Sequence, residues 1–317
     1  MGFVRKLVGA ALVLGAVAAV ALWLLSAPGR LDAATVAGLG PGDAAKGERI
    51  FWAGGCSSCH ARPKSDGPAR LELAGGVELN TPFGTFVAPN VSSHPRDGIG
   101  SWSMEDFANA VMRGVSPDGA HYYPAFPYAS YARMTPTDVG DLYAFMKTLP
   151  AVEGEAAEHS LGFPFNIRRG LGLWKLLYLS DAPVIAVDQG ASDAVKLGRY
   201  LVEGPGHCGE CHTPRAFTGG IKKNQWLAGA VAAEGTGTVP NITPGSSEIG
   251  DWSEDDIITL LETGFTPDFD SPGGAMADVV KNTANLTAED RAAMAAYLKA
   301  VPAREDGFPA KPAAPAN

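Results

Sequence analysis

Cysteine is scarce: four residues in a chain of 317, too few to staple a protein of this length, which excludes a disulfide scaffold. Basic charge is not in excess either. Twenty-five Lys and Arg face 34 Asp and Glu, net −9, the wrong sign for gripping a nucleic-acid backbone. No run alternates cleanly between apolar and polar residues at period two, so nothing signals an all-β fold. With 46% hydrophobic and 19% charged residues, neither global disorder nor a fibrous repeat fits. The length suggests two domains.

One long apolar run is present. Leu7 to Leu25 are uncharged, follow Arg5 and Lys6, and precede the first acid at Asp32. As a helix this run reaches roughly 28 Å, close to the thickness of a bilayer core. Bases before it place the N-terminus on the cytoplasmic side and export the rest. The segment 1–26 is expected as an uncleaved anchor; the competing reading is a cleaved signal peptide. Residues 27–42, rich in Ala and Gly, are expected as a tether.

Beyond that point the chain reads as one plan written twice. Cys56-Ser57-Ser58-Cys59-His60 returns as Cys208-Gly209-Glu210-Cys211-His212, and Pro89-Asn90-Val91 as Pro240-Asn241-Ile242. Ile99-Gly100-Ser101-Trp102-Ser103 returns as Ile249-Gly250-Asp251-Trp252-Ser253, and Ser116-Pro117-Asp118 as Thr266-Pro267-Asp268. The offsets stay between 150 and 152 residues, which marks an internal duplication into domains 43–150 and 191–302. In each copy a helix precedes the Cys cluster (43–52, 192–202). Another follows the Trp-Ser pair, with acids in its first turn. A last helix starts behind Thr135 or Thr287 and stops before Pro150 or Pro302. The fold expected is mainly α. The connector 151–190 holds an aromatic and basic stretch, Leu161 to Ser180. It reads as a linker packed between domains or as a stretch resting on a membrane surface. The tail 303–317, rich in Pro and Ala, is expected to be disordered.

Each Cys cluster is C-x-x-C followed at once by His. Two thiols three residues apart can add to the two vinyl groups of one porphyrin, and the next residue brings an imidazole beneath the iron: the signature of c-type haem attachment. A thioredoxin-type pair would want a βαβ context, which is missing. A zinc site built from all four Cys is conceivable but unnecessary. Two haem c groups are therefore expected, held by Cys56, Cys59, Cys208 and Cys211, with His60 and His212 on the irons.

The sixth ligand separates a carrier from a catalyst. In the second copy Met276, 64 residues after His212, stands where a thioether can reach the distal face. Shifting it back by 150 lands on Phe126, which cannot ligate iron. Met134 is the expected ligand of the first copy. His121, Met112 and a five-coordinate iron remain alternatives, and a core role is the bland reading of Met134. Asn90 and Asn241 are candidates to bond a haem propionate or a backbone carbonyl, with simple turn chemistry as the alternative. Trp102 and Trp252 are expected near the porphyrin edge in the core. Residues 191–302 carry net −7 against −2 for 43–150, which either steers a basic partner or simply keeps a surface solvated.

With these residues the chain resembles the membrane-bound cytochrome c subunits of periplasmic alcohol dehydrogenases and related dehydrogenases. The likeness covers about 43–301 and adds Tyr123-Pro124-Ala125-Phe126-Pro127-Tyr128 and Gly274-Ala275-Met276 to the motifs above. In those subunits Met typically stands where Phe126 does, and there are three haem motifs. The resemblance implies two tandem class I cytochrome c domains behind one transmembrane helix, in a bacterial inner membrane with the bulk in the periplasm. It implies transfer of single electrons from a periplasmic dehydrogenase to a respiratory acceptor. No nucleophile–base pair is visible, so a carrier or subunit is expected ahead of a stand-alone enzyme. The rival is a dihaem enzyme, peroxidase-like or thiosulfate-oxidising, acting at the first haem. A haem sensor would need a signalling domain that the motifs do not suggest.

Overall fold

The computed structural model describes residues 2–233 and 237–308. Helix α1 (Gly2–Leu25) is apolar throughout, buries none of its side chains, and is long and apolar enough to cross a membrane. The segment expected as a tether is held down: α2 (Ala33–Ala37) is capped by Asp32, Leu31 and Leu39 are buried, and the Leu31 N–H donates to Asn109 Oδ1 at 2.8 Å.

The first domain contains α3 (Ala44–Ala53), α4 (Cys56–His60), α5 (Met104–Arg113), α6 (Tyr128–Tyr131) and α7 (Pro136–Met146). After the connector helix α8 (Leu171–Tyr178), the second contains α9 (Asp193–Glu203), α10 (Gly209–His212), α11 (Glu254–Thr263), α12 (Ala275–Thr283) and α13 (Ala288–Ala300). Start signals lie where the sequence puts them. Asp43, Thr135 and Ser192 cap α3, α7 and α9, and capping boxes open α5 (Ser103/Asp106), α11 (Ser253/Asp256) and α13 (Thr287/Asp290).

In each domain the first helix crosses the last: α3 packs on α7, and α9 on α13. Glycine permits both crossings. A Cβ on Gly47 would collide with the carbonyl of Asp141, and one on Gly198 with that of Ala293. Around the crossings lie Ile50, Phe51, Phe107, Val139 and Phe145 in one core, and Leu201, Trp226, Leu261, Tyr297 and Leu298 in the other. Trp102 and Trp252 are half-buried against these cores.

Short strands, too brief to show a period, complete the architecture. Strand β1 (Glu78–Thr81) pairs antiparallel with β2 (Gly84–Val87), Glu78 opposite Val87, and β3 (Ser160–Leu161) from the connector adds to β2. Strand β4 (Ala230–Val231) pairs with β5 (Thr238–Val239), Ala230 opposite Val239. The beginning of the segment expected as a disordered tail is bound instead. Gly307 N–H donates to Ala228 O at 2.7 Å, and Asn241 Nδ2 to Arg304 O at 2.9 Å. Residues 309–317 lie outside the described residues.

The connector is docked on one side and apolar and exposed on the other. On one side the buried Lys175 ammonium donates to the carbonyls of Arg113 (2.6 Å) and Gly114 (2.7 Å), docking α8 on the first domain. Arg169 lies 4.1 Å from the Trp23 ring centroid and donates to Trp23 O (2.6 Å) and Ser26 Oγ (3.0 Å), tying the connector to the foot of α1. On the other side Phe163, Phe165, Ile167, Leu176 and Leu177 are exposed, Leu177 at 72%.

Candidate functional site

Each C-x-x-C-H run forms one short helical turn at the end of a sharp bend. In the first domain Gly55, in the left-handed region at φ 58°, swings the chain from α3 into α4; in the second His207 does so at φ 38°. No disulfide closes either pair of cysteines. Burial, with repulsion from the neighbouring thiol, pushes the Cys56 and Cys208 thiols up to about 12. That is the reverse of a thioredoxin-type nucleophile, whose thiol is acidified.

The histidines are positioned alike. His60 Nδ1 donates to the Pro89 carbonyl at 2.9 Å, and His212 Nδ1 donates to the Pro240 carbonyl at 2.8 Å. A carbonyl only accepts, so each Nδ1 carries the proton and Nε2 keeps its lone pair, the tautomer a metal-ligating imidazole requires. Burial lowers the pKa of both rings, against the opposing pull of the carbonyl, and keeps them neutral. The backbone around them repeats as well: Gly75 N–H donates to His60 O at 2.6 Å, and Gly229 N–H to His212 O at 2.8 Å.

The Pro-Asn pairs hold those carbonyls in place. Asn90 Nδ2 donates to Val152 O and Gly154 O, both at 2.8 Å, while its Oδ1 accepts from Ser92 N–H at 2.9 Å. Asn241 Nδ2 donates to Arg304 O (2.9 Å) and Asp306 Oδ1 (3.0 Å), with Thr243 N–H on its Oδ1. Both amides bond backbone carbonyls and also make the local turn, each Oδ1 accepting from the N–H two residues on.

The expected distal residues divide. Met276 sits in the first turn of α12, half-buried against the second core. Met134 is buried at 4% exposure, beside Met112 at the edge of a cavity of about 230 Å³ and in the same core as half-buried Phe126. Phe126 stacks edge-on against Tyr122, Tyr128 and Tyr131. His121 is engaged elsewhere: its Nε2 donates to Ser26 O at 2.9 Å, at the foot of α1. Among the described residues no three or more His, Cys, Asp and Glu side chains gather as a metal site, so the four cysteines are not brought onto one zinc. What this donor set fits is a porphyrin at each motif: two thiols, a neutral imidazole with its lone pair available, and apolar surroundings.

Sequence reasoning passed over the residues between the cysteines. Ser57, Ser58 and Glu210 all face the other domain, where they meet Asn282 and Ser130. The one available signal was the duplication itself, since Ser58/Glu210 and Ser130/Asn282 are both pairs 152 residues apart.

Comparison with known proteins agrees with this geometry. The family model described as Cytochrome c matches twice, over residues 44–150 and 195–302. A diheme cytochrome c-type protein of Cereibacter sphaeroides is 55% identical over 297 residues, 94% of this chain and 98% of its own. The cytochrome c subunit of a quinone alcohol dehydrogenase of Gluconobacter oxydans is 36% identical over 83% of this chain and 55% of its own. The cytochrome subunit of a fructose dehydrogenase of Gluconobacter japonicus is 36% identical over 82% and 53%. The chain thus spans about half the length of these two dehydrogenase subunits. Matched twice by one family model, and similar over nearly its whole length to a protein of the same kind, the chain belongs to the cytochrome c family as two domains in tandem.

Proposed function

We propose that the chain is a membrane-anchored dihaem cytochrome c that takes single electrons from a periplasmic dehydrogenase and passes them to a respiratory acceptor. The observation that carries this reading is the repeated one at the imidazoles: behind each C-x-x-C pair, a proline carbonyl fixes Nδ1–H and leaves Nε2 for iron. Haem c, when bound, supplies a one-electron iron couple.

The chain's own residues do the rest. Cys56 and Cys59, and Cys208 and Cys211, would tether the two groups, and His60 and His212 would supply the imidazole nitrogens that hold the iron. Met276 and Met134 would close the distal faces, which keeps exogenous ligands out and raises the potential. Cys56 packs against the first core and Cys208 against the second, while Cys211 is exposed. Similarity to cytochrome subunits of alcohol and fructose dehydrogenases supports a dehydrogenase as donor. Helix α1, with Arg5 and Lys6 at its start, supports anchoring in the inner membrane with both domains in the periplasm. The exposed Phe163, Phe165, Ile167, Leu176 and Leu177, beside the foot of α1, form a face suited to rest on that membrane.

Gentle detergent extraction of the native membrane, followed by mass analysis of the haem-staining complex, tests the reading. Co-purification of a dehydrogenase subunit is expected; recovery of the chain alone in every detergent would contradict the donor. One observation favours a second reading, a dihaem enzyme acting at the first site: Phe126 stands 150 residues before Met276, at the position of the distal methionine. Rapid binding of carbon monoxide to the reduced protein would select the enzyme, and none the carrier.

A further inference from the structure

The two domains meet along a seam that obeys the offset of their sequences. Asn282 Nδ2 donates to Ser58 Oγ at 2.7 Å, and Ser130 Oγ donates to Glu210 Oε1 at 2.8 Å. Both residues of the first pair stand 152 positions from their counterparts in the second. Further out, Arg49 pairs with Asp290 (Nη2–Oδ1 2.6 Å), and Tyr200 donates to Asp138. Here the aspartates are 152 residues apart, and Arg49 and Tyr200 are 151 apart. A patch that meets its own copy reciprocally is the mark of a two-fold association. At its centre each domain lays one residue onto the C-x-x-C loop of the other.

Where the copies differ, the charge differs. Over the first loop, Asn282 (1% exposed) accepts on Oδ1 from Ser57 Oγ and from Arg70 Nη2, both at 2.9 Å. Arg70 Nη2 also donates to Ser57 Oγ at 2.9 Å, Nη1 donates to Lys281 O at 3.3 Å, and the guanidinium stands 5.7 Å from the Trp52 ring centroid. Arg70 is 7% exposed, and among the described residues no carboxylate pairs with it. Over the second loop, the Glu210 carboxylate is matched by Arg215 Nη2 at 2.8 Å. The first attachment loop therefore carries an uncompensated buried cation, and the second an ion pair.

We propose that Arg70, clamped by Asn282 from across the seam, biases a shared electron toward the first domain. The inference rests on the haem reading above but not on the identity of donor or acceptor. An oxidised haem site carries one more positive charge than a reduced one. A buried cation beside it disfavours the oxidised form and raises the potential. The exchange moves one electron and no proton: ferrous iron at the second site becomes ferric, ferric iron at the first becomes ferrous, and nothing else is consumed. The favoured domain is the one strapped to the foot of α1 through Leu31–Asn109 and His121–Ser26, so the bias points toward the membrane end. Arg70 and Asn282 act through the loop and are positioning residues.

The test is a spectroscopic redox titration of the full-length holoprotein, with Met276→Ala assigning the second of the two waves. Arg70→Gln should shift the electron's distribution toward the second site at least tenfold, about 59 mV for one electron. The second wave should stay in place, and Arg70→Lys, which keeps the charge, should restore most of the shift. Asn282→Leu, which removes the clamp but leaves the charge, should move the first wave in the same direction by less than Arg70→Gln does. Should that variant misfold, Ser57→Ala, which removes a partner of the same clamp, should give a smaller shift in the same direction. An unchanged first wave in Arg70→Gln, or equal movement of both waves, overturns the proposal, as does a Lys variant that behaves like Gln. If the unmodified protein showed no two one-electron waves at all, the haem reading itself would fail before any variant was compared.

Discussion

At the scale of single residues, the two proline carbonyls are the decisive feature. Pro89 and Pro240 each present a carbonyl to an imidazole Nδ1, and Asn90 and Asn241 tie down the chain that carries them. Asn90→Ala would release two carbonyls and one N–H, and should broaden or weaken the first site's spectrum while the second is unaffected, as read by magnetic circular dichroism. The distal residues make a sharper prediction. Met276→Ala should abolish one of two thioether–iron charge-transfer bands and Met134→Ala the other; if Met134→Ala leaves both bands standing, the first site is not ligated by it. The cysteines and histidines were legible as candidates because spacing alone gives them a chemical reason to be there, and Met276 is proposed on the same ground. Asn282 and Arg70 were not, because each is an ordinary polar residue until the fold brings it to Ser57, 225 and 13 positions away.

At the scale of elements, the helices could be read from caps and period, and the crossings between them could not. Thr135 before Pro136, and Ser253 three residues before Asp256, announce a helix start from local chemistry alone. Ser253→Ala should cost about 1 kcal/mol in a denaturant titration, as loss of such a cap does. Gly47 and Gly198 look like poor helix residues in sequence, yet each is the point where a neighbouring backbone passes. Gly47→Ala, which would raise intrinsic helix propensity, should instead destabilise by about 1–3 kcal/mol from overpacking. A stabilised Gly47→Ala protein would mean the crossing is looser than described. The hairpins escaped prediction for a simpler reason: strands of two to four residues leave no room for a period.

At the scale of the whole molecule, the duplication was visible as a constant offset, and the seam it creates was not, since an offset says nothing of which faces meet. The Arg49–Asp290 pair gives that seam a pH dependence. Burial alone would raise the Asp290 carboxyl, but the hydrogen bond and charge of Arg49 outweigh it and hold the group below its ordinary value. A lowered folded pKa means the stabilisation is complete above about pH 4 and is lost as pH falls through the folded value. Asp290→Asn should therefore lose stability at neutral pH and approach the parent protein in acid, seen by thermal unfolding across that range.

The central claim, that both C-x-x-C-H motifs hold covalent haem, is tested most directly by the intact mass of the denatured protein from a cytochrome-maturing host. The expected mass is that of the chain plus two haems, falling by one haem in a Cys56→Ala/Cys59→Ala variant and by one in Cys208→Ala/Cys211→Ala. A denatured mass equal to the bare chain would contradict it.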